Sequence, residues 1–356
     1  MAAENDVLLD VRSLRTTFST PRGPLVAVDD VSFSLRRAET IGIVGESGSG
    51  KSVLVRSLMD LLPSSAVTGS GQQIVFDGVD LSAITSSERK HYWGDQISMV
   101  FQDPMTSLNP VRRIGRVLVE NIRRHLGGSR ADATARAVEL LGQVGIPEPT
   151  KRLRQYPHEL SGGMRQRVMI AIALSCDPAL LIADEPTTAL DVTVQKQILD
   201  LLESLQQSHH MSVILITHDL GVVAGRTDRI LVMYAGRVVE SAPTGALFAE
   251  TRHPYTVDLM RSIPRIEDPP GKRLQAIGGR PPDLAAPPAG CRYAPRCRLA
   301  QPECLETEPA PVAVDGDHWH RCHFPIGTEA GEEALEINRR AGVTAAGLRV
   351  DVEVPV

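Results

Sequence analysis

No run of 18 or more apolar residues occurs in this 356-residue chain, so nothing in it reads as a membrane-spanning helix. The first residues, Met1-Ala2-Ala3-Glu4-Asn5-Asp6, lack the basic and apolar stretches of a secretory signal, and the chain is expected in the cytosol. A basic excess is also missing. The formal net charge is −5 and the pI about 6.1, which argues against nucleic acid as the main partner. Cysteines number only five, and in a reducing compartment they are not expected to form structural disulfides. No internal repeat is visible. Apolar residues make up 42%, enough for one large domain and a smaller one.

The most informative stretch is Gly45-Glu46-Ser47-Gly48-Ser49-Gly50-Lys51-Ser52, which fits G-x-x-x-x-G-K-[ST]. At average composition, chance places this pattern in about one chain of this length in a hundred. Ile41-Gly42-Ile43-Val44 leads in as a buried strand. Ser52 to Leu62 follows with helical spacing at Val53, Leu54, Leu58, Leu61 and Leu62. That is the strand, loop and helix order of a phosphate-binding loop. Glycines let backbone N–H groups close around an anion, and the following helix adds the positive end of its dipole. In such a loop Lys51 reaches the β- and γ-phosphates and the Ser52 hydroxyl binds Mg²⁺.

Strands are expected over Val7 to Leu14 and Leu25 to Leu35, with a Pro-Arg-Gly turn at 21–23. Others are expected at Ile74-Val75-Phe76 before Asp77-Gly78, Ile97 to Phe101, Ala179 to Ala183 and Val213 to Thr217. Ile230 to Tyr234 and Arg237 to Glu240 read as a hairpin around Ala235-Gly236. From Pro110 to Gln155 the composition turns helical, most clearly at Ala133 to Val144. Val192 to Gln207 is an amphipathic helix. Alternating strands and helices give an α/β fold on a mostly parallel sheet. After about residue 262 prolines and glycines crowd in (Pro264, Pro269, Pro270, Gly278, Gly279, Pro281, Pro282, Pro287, Pro288) and periodicity fades. That segment reads as a separate, loop-rich module, and Gly327 to Val356 as a weakly patterned, partly disordered tail.

A second set of chemistry-bearing residues follows the first. Leu180-Leu181-Ile182-Ala183-Asp184-Glu185 is an apolar strand ending in two acids at its carboxyl edge, where α/β sheets bind ligands. Asp184 is placed to hold a Mg²⁺ shell and Glu185 to take a proton from an attacking water. Leu160-Ser161-Gly162-Gly163-Met164-Arg165-Gln166-Arg167 opens an apolar helix, with Ser161 a good N-cap and its glycines an anion-friendly start.

Taken together, residues 1 to about 250 resemble the nucleotide-binding subunit of an ABC transporter. The Walker A is Gly45–Ser52, the Q-loop glutamine Gln102 in Val100-Phe101-Gln102-Asp103, and the signature Leu160-Ser161-Gly162-Gly163-Met164. The Walker B is Leu181–Asp184 with Glu185, the D-loop Ala189-Leu190-Asp191, and the switch histidine His218 in Thr217-His218-Asp219. The family's signature usually ends in Gln where this chain has Met164. The fold implied is a P-loop NTPase of ABC type with a helical subdomain, followed by a small loop-rich, Cys-containing C-terminal module.

What the resemblance implies is specific. Two such domains face head to tail, each ATP lying between one Walker A and the partner's signature. Ser161, Gly162, Gly163 and Met164 then serve the ATP of the partner. Gly45, Glu46, Ser47, Gly48, Ser49, Gly50, Lys51, Ser52, Gln102, Asp184, Glu185 and His218 serve this chain's own. Gln102 contacts Mg²⁺ and the attacking water, and His218 the γ-phosphate. Phe18 is the candidate for stacking on adenine, with Ala27 beside it. The helical insert from about Asp103 to Glu159 (a subdomain of about 103–165) carries ATP-driven motion to membrane-spanning partners.

Cys291, Cys297, Cys304 and Cys322 fall in one 32-residue window with gaps of five, six and seventeen residues. Cys176 lies apart and reads as a core cysteine. Four clustered thiols in a reducing compartment suggest a metal, though zinc usually shows paired short spacings. His253-Pro254-Tyr255-Thr256, Gly279-Arg280-Pro281-Pro282 and the cysteine window resemble the C-terminal extension of oligopeptide/dipeptide transporter ATPases. That resemblance implies a [4Fe-4S] cluster on these cysteines, with Zn²⁺ or reduced thiols as alternatives. His318, His320 and His323, beside Cys322, are alternative ligands, but read first as solvated loop histidines. Tyr156-Pro157-His158-Glu159 and Arg165-Gln166-Arg167 around the signature strengthen the same subfamily resemblance.

The boundaries expected are 1–252 for the nucleotide-binding domain, 253–326 for the extension and 327–356 for the tail. The Met-bearing signature resembles the D-type subunit, which implies a heterodimer with an F-type ATPase. Two permeases and an extracytoplasmic peptide-binding protein complete the implied set, at the cytoplasmic face of the membrane. Competing readings are an ATPase importing another solute such as nickel, a soluble ABC ATPase, and a redox or iron-sensing module that merely retains the fold. The single cassette, and only about 107 residues between Ser52 and Leu160, weigh against the soluble types. Intact Glu185 and His218 weigh against the non-catalytic one.

Overall fold

The computed structural model describes residues 6–69, 71–188, 190–263 and 277–350. Ala189, Pro264, Pro269, Pro270 and the last residues of the tail, 351–356, lie outside the described residues. The chain divides into two compact units. One comprises Met1–Asp10, Ser34–Thr40 and Ile74–Ile216, and the other Val11–Phe33, Ile41–Gln73 and Thr217–Val356.

The first unit is built on three parallel strands, Ile97–Val100, Leu180–Asp184 and Ser212–Thr217, with Leu180–Asp184 between the other two. All five residues of Leu180–Asp184 are buried. Such a strand is covered on both faces, so its sequence runs apolar instead of alternating. The insert is helical, as its composition indicates. Ile114–His125 and Arg130–Gln143 pack through Ile114, Leu118, Ile122, Ala133, Ala137, Leu140 and Leu141, all 3% exposed or less. Ser129 caps the second of these helices, its hydroxyl accepting from the Asp132 N–H at 3.1 Å.

In the second unit, Thr40–Val44 runs parallel to Arg229–Tyr234, which turns at Ala235-Gly236 into antiparallel Arg237–Pro243. The expected hairpin is present. The helix after the phosphate loop, Lys51–Leu58, is shorter than its apolar spacing suggests. Asp60 takes a positive φ of 54° and Leu61 is 45% exposed, so the last two leucines of the pattern lie beyond the helix. Strands Val7–Thr20 and Gly23–Arg36 are longer than expected, with the turn at Pro21-Arg22.

The C-terminal region departs most from its sequence reading. Val312–Asp315 and His318–His320 form strands, and His320 and Trp319 pair with Glu240 and Ser241 of Arg237–Pro243. The extension therefore adds strands to the sheet of the second unit instead of standing apart. His318 and His320 are buried, not solvated, with His318 Nε2 at 3.1 Å from Glu240 Oε1. The expected disordered tail contains a helix, Glu329–Ala341. Thr328 caps its start and Gly342, at φ 70°, ends it in the left-handed conformation. Its inner face is Gly331, Ala334 and Asn338, too small and polar to register as an apolar stripe.

Tyr234, Tyr255 and Tyr293 form the aromatic centre of this unit, with ring centroids 4.5, 5.1 and 5.3 Å apart and all three essentially fully buried. Each such pair adds about 1 kcal/mol beyond its area burial. The three hydroxyls are partnered: Tyr255 with the Glu46 N–H, Tyr234 with Arg296 and Tyr293 with Asp258.

Beside them His253 caps helix Pro254–Arg261, its Nδ1 accepting from the Tyr255 N–H at 3.1 Å. Burial presses this imidazole from 6.5 down to about 4, with Glu240 pulling upward and His320 downward. Between those values the unfolded chain binds a proton that the folded chain does not. Stability should fall as pH drops through that window, by about 3 kcal/mol at most from this group. The thermal midpoint followed from pH 7 to 4 checks this. His253→Asn keeps the cap and should flatten that part of the profile, whereas an unchanged slope removes His253 as its source.

Candidate functional site

The candidate residues fall in both units. In the second unit, the phosphate loop follows the buried strand Thr40–Val44 and ends as the helix Lys51–Leu58 begins. Its shape is set by backbone around it. A Cβ on Gly45 would stand 2.1 Å from the Met233 carbonyl oxygen, and one on Gly50 2.4 Å from that of Ala27. Gly50 also holds φ at 102°. Only glycine fits either place. The hairpin turn braces the loop further, the Gly236 N–H donating to Ser49 O at 2.8 Å and the Asp29 N–H to Gly236 O at 2.9 Å. Lys51 is 4% exposed, and its Nζ donates to the carbonyls of Gly45 (2.7 Å) and Glu46 (3.0 Å). The ammonium thus lies across the loop it closes. Ser52 is the second residue of the helix.

The Ala27 carbonyl lies against Gly50 of the loop, and Phe18, the candidate for stacking on adenine, pairs with Ala66 and is half-buried. His218 follows the strand end, exposed, and the next residue, Asp219, caps a short helix, accepting from the Gly221 N–H at 2.8 Å.

In the first unit, Asp184 ends its strand fully buried and Glu185 follows with φ at 45°. A left-handed glutamate is a strained residue, and such strain persists where its surroundings hold it. Here the Glu185 N–H donates to Ile216 O at 3.1 Å, while its Oε2 accepts from Gln102 Nε2 and Thr188 Oγ1, both at 2.9 Å. Two residues singled out independently, Gln102 and Glu185, are therefore in direct contact. Thr188 is a third member of this group that motif reading missed; a hydroxyl three residues after the acid was the available signal.

The signature and D-loop residues also meet. Ser161 caps helix Gly162–Ala173, accepting from the Met164 N–H at 3.3 Å. A Cβ on Gly163 would reach Val194 Cγ1 at 2.9 Å, so this glycine lets the helix following the D-loop pack close. Asp191 caps that helix, Val192–His209, its Oδ1 accepting from Val194 N–H at 2.9 Å.

All five cysteines are unbridged. Cys176 is buried, as expected of a core residue. Cys291, Cys297, Cys304 and Cys322 line one small cavity with Tyr293 and Phe324. Burial pushes Cys291 up to about 11 and raises the other three as well, with neighbouring thiols adding to the cost of charge on Cys297 and Cys322. Among the described residues no group of three or more His, Cys, Asp or Glu could hold a metal ion. The expected [4Fe-4S] cluster and the zinc alternative are therefore not supported, and no step is assigned to either.

Residues 28–188 match the family described as ABC transporter, and residues 239–304 the one described as oligopeptide/dipeptide transporter, C-terminal region. The chain is 50% identical over 321 residues to the oligopeptide transport ATP-binding protein OppD of Salmonella typhimurium, covering 90% of this chain and 95% of that one. It is 46% identical over 330 residues to the dipeptide transport ATP-binding protein DppD of Escherichia coli, covering 92% and 99%. Among solved structures it resembles a dimeric ATP-binding cassette in a post-hydrolysis state bound to ADP and phosphate. The TM-score there is 0.60 at 26% identity, over 66% of this chain and 98% of that one.

A methyl group on the loop checks its geometry. Gly50→Ala should lower stability by about 2 kcal/mol or more, from an unfavourable φ and the Ala27 carbonyl together. Gly48→Ala, with nothing within 4 Å of its Cβ, should cost less. Equal denaturation midpoints for the two variants would contradict this geometry.

Proposed function

The chain belongs to the ABC transporter ATPases of the oligopeptide/dipeptide type, and from that premise we propose that it hydrolyses ATP to drive peptide import through a membrane complex. The observation that carries this is Glu185, directly after Leu180–Asp184, hydrogen-bonded by Gln102 at 2.9 Å, in a chain about half identical to peptide-transport ATP-binding proteins.

The roles follow from chemistry. Lys51 and the loop amides neutralise the β- and γ-phosphates. Ser52, Gln102 and Asp184 would hold Mg²⁺, which would supply charge neutralisation at the phosphates. Glu185 accepts the proton of the attacking water, and Gln102 keeps that carboxylate aimed. His218 contacts the γ-phosphate and Phe18 stacks on adenine. Ser161, Gly162, Gly163 and Met164 act on the nucleotide of a second cassette, an F-type subunit in a heterodimer, and Asp191 lies near that junction. ATP closes the pair and hydrolysis releases it.

Among the described residues no helix is long and apolar enough to cross a membrane, so translocation belongs to permease partners. A groove in the helical insert lined by Arg112, Arg113, Arg116, Arg123, Arg130 and Arg154 supports docking of the insert on such a partner at the cytoplasmic face. An extracytoplasmic binding protein supplies the peptide. The domain reading is a cassette over 1–252 with the extension over 253–326.

Glu185→Gln tests the reading. Turnover should fall roughly 10²- to 10⁴-fold, the contribution of a general base, while ATP binding persists and the variant stays associated with its ATPase counterpart. Steady-state phosphate release and size-exclusion chromatography with ATP measure the two effects. Hydrolysis at the wild-type rate would remove Glu185 from this role.

A further inference from the structure

The phosphate loop carries a side chain that the mechanism above leaves unused. Glu46, directly after Gly45, is met by Arg296 of the C-terminal extension. Arg296 Nη1 lies 2.6 Å from Glu46 Oε2 and Nη2 lies 3.0 Å from Oε1, a two-pronged pair. The Arg296 side chain is 2% exposed, against 26% for Glu46.

The guanidinium is fixed on every side. Its Nε donates to Gly278 O at 2.8 Å, Nη2 to Ile277 O at 3.2 Å and Nη1 to the Tyr234 hydroxyl at 3.2 Å. Its carbon lies 5.8 and 5.9 Å from the Tyr234 and Tyr293 ring centres. A second tether joins the same residue, since the Glu46 N–H donates to the Tyr255 hydroxyl at 2.8 Å. The Glu46 carbonyl in turn accepts from Lys51 Nζ at 3.0 Å. One residue thus links the extension to the lysine that closes the loop.

We propose that Arg296 is a positioning residue for ATP: through Glu46 the C-terminal extension holds the phosphate loop in its nucleotide-ready shape. This rests on the ATPase reading above. A buried guanidinium without its carboxylate is costly, so the loop conformation that presents Glu46 is the one the extension favours. The extension, which contributes nothing to the catalytic constellation, thereby sets nucleotide affinity.

A double-mutant cycle tests the proposal on the full chain, reading ATP affinity and the KM for ATP against kcat. The temperature is held well below each variant's unfolding midpoint. Arg296→Gln and Glu46→Gln should each weaken ATP binding about tenfold, the size of one charge-assisted contact, with a smaller change in kcat. The double variant should be no weaker than either single one, because both remove the same link. Arg296→Lys keeps the charge but not the two-pronged geometry and should recover part of the loss. Additive effects, or an unchanged KM in Arg296→Gln, would overturn the proposal. If Arg296→Gln does not fold, Glu46→Gln decides: an unchanged KM there overturns it equally. Lys51→Ala separates this from failure of the ATPase reading, since that reading fails only if wild type and Lys51→Ala bind ATP alike.

Discussion

The phosphate loop is shaped by backbone that presses on it from outside. The carbonyl oxygens of Met233 and Ala27 stand where side chains on Gly45 and Gly50 would be, and the turn at Gly236 takes the Ser49 carbonyl. A loop of this kind is preorganised: its amides are held facing inward by contacts that need no ligand. The strands that supply those oxygens are themselves anchored. Asp29 is 3% exposed and meets Arg237, Arg292 and Arg15. Burial alone would raise its carboxyl, but the hydrogen bonds and charge of Arg237, with the other two arginines, hold it below the usual range. Arg292 comes from the extension and its Nη1 also donates to Ala235 O at 2.5 Å, so the bracing turn is itself held.

The cassette was legible because its determinants are local. A strand buried on both faces writes an apolar run, a phosphate loop writes glycines at fixed spacing, and a cap writes Ser or Asp before a helix. Leu180–Asp184, Gly45–Ser52 and Ser161 are read directly on those grounds. The contact between Gln102 and Glu185 is not local, since 83 residues separate them, and only the folded chain puts the amide on the acid. The positive φ of Glu185 was equally hidden, because nothing in a glutamate's side chain announces it.

The extension's family resemblance was legible, whereas its ordered structure was not, for a different reason. Its order comes from polar groups that serve long-range partners: Arg296, Arg292, His318 and Asn338. Charged and amide residues in a proline-rich stretch suggest solvent, and no apolar period corrects that impression. His318 and His320 sit in a strand whose pairing depends on Arg237–Pro243, 70 or more residues earlier in the chain. For the cysteines, the described residues give no support to a metal site. Their clustering in sequence is matched by a shared cavity, but proximity is not ligation. Cys297 and Cys304 are buried and Cys291 and Cys322 half-buried around that cavity, where thiols pack as small apolar groups do.

The helix Glu329–Ala341 is keyed rather than greased. Asn338 Nδ2 donates to Arg298 O at 2.8 Å and to Ala300 O at 3.3 Å, while its Oδ1 accepts from Gln301 Nε2 at 3.0 Å. A Cβ on Gly331 would stand 2.2 Å from Pro325 O. An oily seam tolerates sliding by a turn, because one leucine replaces another at modest cost. An amide lock does not: a slip of one residue would put Ile337, with no polar group, or Arg339, with no acceptor for the Gln301 amide, in the place of Asn338. This helix is therefore indexed to a single register.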